Sequence, residues 1–81
     1  MQIGKVCGSV WATKKSEQLV GISLLVVRSE NKDIIAADTL GAGIGDTVLL
    51  VFGSSARSLA GNDIDAAICG IIDNTRKEEE Y

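Results

Sequence analysis

The sequence predicts a mainly β fold, a small five-stranded barrel, closed or nearly so, with one short helical turn. Three observations point there. Hydrophobic residues make up 46% of the 81 positions, and this apolar content is rich in Val and Ile, which favour strands. The apolar residues fall into five short runs separated by turn-forming residues. Glycines sit inside the runs, where they mark bulges and bends at barrel corners. Closure also removes the sheet edges that such apolar strands would otherwise expose.

The elements follow in order. Gln2–Thr13, QIGKVCGSVWAT, reads as extended, with Gly4 and Gly8 interrupting any helical period. A polar connection, KKSEQLVG, leads to the clearest strand, Gly21–Ser29. There Ile22, Leu24 and Val26 share one face and Leu25 and Val27 the other. Being apolar on both sides, it is expected between two packed surfaces. Glu30–Asp33 is expected to form a hairpin loop. Ile34–Asp38 is a short third strand and Thr47–Gly53 a fourth. SSARSLAGND is expected to hold one helical turn, capped by Ser54 or Ser55 and ending near Gly61. Ile64–Asp73 is the fifth strand, its first half equally compatible with helix. The domain is expected over 1–73, with 74–81 a charged tail. There is no internal repeat and no proline.

Composition narrows function. Eight Lys and Arg against eleven Asp and Glu give a net charge of −3, which argues against a nucleic-acid partner, because phosphate binding needs a basic face. Membrane association is not expected either: no apolar run is long enough to span a bilayer, and MQIGKVCG lacks the layout of a signal peptide. Cys7 and Cys69 form no CxxC pair and read as reduced, small core side chains of a cytosolic protein, with a Cys7–Cys69 disulfide left open. A small domain with this much aliphatic surface buries little of it alone, so association with copies of itself is expected.

Site chemistry is sparse, and no catalytic, cofactor-binding or metal-ligating residue is assigned. The stretch DTLGAGIGDTVLLVFGSSAR holds four of the nine glycines. Its GxGxG spacing departs from the dinucleotide fingerprint GxGxxG, and a strand rather than a helix follows. The expected role is a side-chain-poor turn that lets backbones approach closely. With no histidine in the chain, Ser54 and Ser55 lack the usual base for nucleophilic attack. Asp63 and Asp65 match only two positions of a calcium loop and read as solvated turn carboxylates. Lys14 and Lys15 read as a solvated loop or an anion contact.

The blocks IGKVCGSVWATKK, LVGISLLVV, AADTLGAGIGDTVLLVFGSSAR and DAAICGIID resemble, in order and spacing, the EutN/CcmL family of bacterial microcompartment vertex proteins. The resemblance runs from Met1 to Asp73, and DTLGAGIGD followed by GSSAR is its most specific part. Cys69 departs from the aliphatic residue common there, and SENKD falls in a region that varies in length.

The resemblance implies an oligonucleotide-binding-like barrel that forms a cyclic pentamer. Such pentamers cap the fivefold vertices of a polyhedral shell in the bacterial cytoplasm, beside hexameric shell proteins. It implies a structural protein and no enzyme. In that frame Gly41, Ala42, Gly43, Ile44 and Gly45 are expected at the pentamer axis or interface, with Ile44 against an apolar surface; an ordinary turn at a barrel corner is the alternative. Ser54, Ser55, Arg57, Lys14 and Lys15 are expected at subunit or shell contacts, and for Arg57 a local bond that fixes the helical turn is the alternative. A free oligomeric barrel that binds a small molecule is the competing function.

Overall fold

The computed structural model describes residues 1–11, 19, 21–61 and 63–73. Its elements are β1 (Gln2–Ser9), β2 (Ser23–Ser29), β3 (Lys32–Asp38), β4 (Thr47–Phe52), α1 (Gly53–Ala60) and β5 (Ala66–Ile72). They form the expected five-stranded closed barrel, in the order β1-β2-β3-β5-β4. All pairings are antiparallel except β3 with β5, which run parallel.

The β2–β3 hairpin is tighter than the sequence suggests. Only Glu30 and Asn31 turn, with φ of 52° and 66°. Two consecutive left-handed residues make a turn whose twist matches that of the flanking strands. Lys32 therefore pairs with Ser29 and Asp33 with Arg28, so both belong to β3 rather than to a loop. Arg28 and Asp33 also form an ion pair at 3.0 Å.

Alternation along the strands divides inside from outside. Val6, Val27, Val48, Leu50 and Ile68 fill the barrel and are essentially inaccessible. At roughly 1.5–3 kcal/mol for each large aliphatic side chain buried, this set is the main driving force for the fold. Leu25 and Val27 of β2 point inward and are buried, as the pattern predicts. Only part of its outer face is packed: Leu24 lies under a second cluster, while Val26 stays half-buried.

That second cluster lies outside the barrel, where Ala37, Ala67 and Ile64 receive Ala56 of α1. An isolated eight-residue helix is unstable in water, so this contact keeps α1 formed. The helix makes about two turns rather than one. It is not capped by Ser54 or Ser55. Phe52 occupies the cap position with no side-chain hydrogen bond, because β4 runs directly into the helix at Gly53. The Gly53 N–H instead donates to the Asp65 carbonyl at 3.0 Å. Gly61 ends the helix as expected, donating to the Arg57 carbonyl.

The cysteines depart from the expected core role. The β1–β2 register slips between Val6 and Gly8, and the β4–β5 register between Leu49 and Leu50. Cys7 and Cys69 are the extra residues at these two bulges. Each follows an inward-facing residue, Val6 or Ile68, so strand alternation turns it outward; Cys7 is exposed and Cys69 half-buried, and both are free thiols with no disulfide between them.

Gly4 has a steric reason to be glycine. A Cβ there would lie 2.5 Å from Val27 Cγ1 and 2.9 Å from the Arg28 carbonyl oxygen, whereas at Gly8 its nearest neighbour would be 3.7 Å away. Gly4→Ala is expected to lower stability by about 1–3 kcal/mol, and Gly8→Ala to change it by less than about 0.5 kcal/mol. Urea unfolding at one fixed protein concentration checks both.

Candidate functional site

The glycine loop between β3 and β4 is organised by the two carboxylates that flank it. Asp38 accepts hydrogen bonds from the N–H groups of Leu40, Gly41 and Ala42, at 3.0, 3.2 and 2.9 Å. Asp46 accepts one from the Gly43 N–H at 2.8 Å. The donors that a phosphate cradle would offer are thus already held by the chain's own anions, whose charge would also repel a phosphate. Two ladder bonds fix the loop to β1, from Gly45 N–H to the Val6 carbonyl and from Val6 N–H to the Asp46 carbonyl.

The three glycines are not equivalent. Gly41 and Gly45 have φ of 86° and 95°, which an L side chain adopts only with strain. Gly43 does not, and a Cβ there would meet only Asp46 Oδ2, at 3.9 Å. Nothing among the described residues requires glycine at that position. Ala42 packs against the barrel core, and Ile44 points away from it, 72% exposed. Among the described residues no surface buries Ile44.

The serines and arginine belong to a different region. Ser54, Ser55 and Arg57 lie on α1, beyond the far end of β4 from the loop. A six-residue strand separates the two groups by about 17–20 Å, so they do not form one site. Ser54 and Ser55 are exposed and, with Ser58, Leu59, Val51 and Cys69, line an open groove of about 500 Å³. Arg57 has a local partner, Asp65 Oδ1 at 3.6 Å, with both side chains substantially exposed. Such a pair contributes little stability. Lys14, Lys15 and the tail 74–81 lie outside the described residues.

Asp38 and Asp46 bracket the glycine motif, and spacing alone assigns them no role. Their signal is an acidic residue at each end of a glycine-rich turn, where a short carboxylate reaches the backbone N–H groups that follow. Among the described residues no cluster of three or more His, Cys, Asp or Glu could hold a metal ion. No helix there is long and apolar enough to cross a membrane.

A barrel with a filled interior, and with apolar side chains turned outward on a pinned loop, is a module whose outer surface meets other proteins. The chain belongs to the family described as ethanolamine utilisation protein EutN/carboxysome, whose model matches residues 1–73. Among its relatives, the microcompartment shell vertex protein GrpN of Rhodospirillum rubrum is 45% identical over 90% of this chain and 93% of that one. The carboxysome shell vertex protein CcmL of Thermosynechococcus vestitus is 40% identical over 96% and 89%.

Solved structures agree. The pentameric shell protein GrpN superposes with a TM-score of 0.86, at 40% identity over 95% of this chain and all of that one. The pentameric shell protein MSM0273 of the RMM microcompartment gives 0.85, at 36% identity over the full length of both. These relatives are structural components of microcompartment and carboxysome shells, which lie in the bacterial cytoplasm.

If Asp38 holds the loop, Asp38→Ala should cost about 1–3 kcal/mol. The amides of Leu40, Gly41 and Ala42 should exchange with solvent markedly faster while those of β2 remain protected, which hydrogen exchange followed by NMR measures directly.

Proposed function

We propose that this chain assembles into a homopentamer that caps the fivefold vertices of a microcompartment shell, beside hexameric shell proteins. The observation that carries the reading is the unburied apolar surface of the single barrel. Ile3, Leu40 and Ile44 are 51, 50 and 72% exposed, a set that a soluble monomer would leave in water and that neighbouring copies would cover. A ring closes such heterologous contacts without leaving an open end. A convex shell tiled by hexamers needs fivefold units at its corners.

In this reading the loop Gly41–Gly45 lies near the fivefold axis. Support comes from Gly43, which is glycine although a Cβ there would meet only Asp46 Oδ2 among the described residues, and from Ile44, an apolar side chain left 72% exposed. Arg57, Ser54 and Ser55, together with Lys14 and Lys15, serve subunit or shell contacts. The role is structural, without catalysis, and neither nucleic acid nor membrane is a partner. The barrel interior, filled by Leu50, Ile68 and their neighbours, favours this over a ligand-binding barrel.

Native mass spectrometry should give five times the chain mass, and a stable monomer at micromolar concentration would contradict the reading. Gly43→Val is the probe, because a Cβ at Gly43 would meet nothing among the described residues closer than Asp46 Oδ2, at 3.9 Å. An axial loop predicts loss of the pentamer with the barrel intact by circular dichroism; a peripheral loop predicts an unchanged pentamer mass. Arg57→Ala should weaken pentamer or shell closure, and if both are unaffected its contact role is wrong.

A further inference from the structure

Among the described residues, the short β3–β5 seam leaves part of the β3 edge without a neighbouring strand. β3 pairs with β2 along its whole length but with β5 only through Ala37 and Asp38. Among the described residues, no strand lies beside the other edge of Lys32 to Ala36. An unpaired edge offers backbone donors and acceptors to an incoming extended segment. A groove of about 240 Å³ adjoins it. Leu19, Leu24, Ile35 and Ile64 supply its apolar lining, and Asp63 and Asp65 its charge. Ile35 is 58% exposed on its lip. Neither carboxylate is strongly engaged: among the described residues Asp63 has no ion-pair partner, and Asp65 meets only Arg57, at 3.6 Å.

We propose that this edge and groove take up an extended, lysine- or arginine-bearing segment of a different shell protein, added to the barrel as a strand beside β3. The proposal rests on the shell-vertex reading for the identity of the partner, while the chemistry rests on the groove. Backbone bonding to the edge gives affinity without sequence preference. The groove selects an aliphatic side chain of Val or Ile size, packed between Ile35 and Ile64. The Asp63 and Asp65 carboxylates select flanking cations and disfavour acidic segments. Copies of this chain are a poor match because each carries a net charge of −3, and because Ile3, Leu40 and Ile44 offer them other apolar surfaces.

The test uses the full-length, isotope-labelled protein and two blocked peptides, Lys-Val-Thr-Val-Lys and Glu-Val-Thr-Val-Glu. The lysine peptide should give saturable NMR shifts at the amides of Ile35, Asp63 and Ile64. The glutamate peptide should bind at least about tenfold more weakly, as expected for losing two surface charge pairs. Asp63→Asn combined with Asp65→Asn should weaken the lysine peptide by a similar factor, and Ile35→Lys should abolish its binding, both without changing the oligomer mass.

Equal binding of the two peptides, or no shifts at these residues, overturns the proposal. So does dissociation of the oligomer by Ile35→Lys, which would assign the edge to another copy of this chain. Selective peptide binding by a chain that is not pentameric would leave the groove chemistry standing and remove the vertex reading instead.

Discussion

The seam at which β3 meets β5 governs the rest of the structure. Two residue pairs, Ala37 with Ala67 and Asp38 with Ile68, close the barrel in the only parallel pairing among the described residues. Each residue there serves a second purpose. Ala37 and Ala67 are small enough on the outer face for α1 to rest on them through Ala56. Ile68 reaches into the filled interior. Asp38, the last residue of β3, turns its carboxylate onto the three N–H groups that begin the glycine loop. A larger residue at either alanine would lift the helix, and the loss of Asp38 would release the loop. The shortness of the seam is also what leaves the edge of β3 without a neighbouring strand.

Much of this was legible because period-2 alternation is a local signal. The faces of β2 read directly from Leu25 and Val27 against Leu24 and Val26, and the apolar runs of β4 and β5 located two more strands. Boundaries failed where local preference competed with tertiary geometry. Glu30 is not a residue that favours a left-handed conformation, so the two-residue turn was hidden and Lys32 and Asp33 were read as loop. Serines beside a short helical pattern suggested a cap, yet the helix starts directly from β4. Cys7 and Cys69 follow the buried Val6 and Ile68, so alternation alone turns them outward; the core role followed from residue type, which here loses to strand position.

The candidate surfaces were less legible than the fold. The glycine spacing marked the loop, but the division of labour within it needed backbone angles: Gly41 and Gly45 answer to their own subunit, and Gly43 does not. The structure places the loop and Ser54, Ser55 and Arg57 at opposite ends of β4. A vertex unit as proposed must meet both its copies and the facets around it, which calls for two separate outer surfaces. The groove beside β3 was invisible in one dimension because Ile35, Ile64 and Asp63 come from different parts of the chain.

The central claim is that this barrel closes a shell at its corners. The most direct measurement is co-expression with hexameric shell proteins of the same microcompartment, with and without this chain, followed by electron microscopy of the purified assemblies. The account predicts closed polyhedral particles with density from this chain at the fivefold vertices, and open or uncapped assemblies in its absence. Closed particles with occupied vertices formed without it, or failure of the chain to enter the particles at all, would contradict the account.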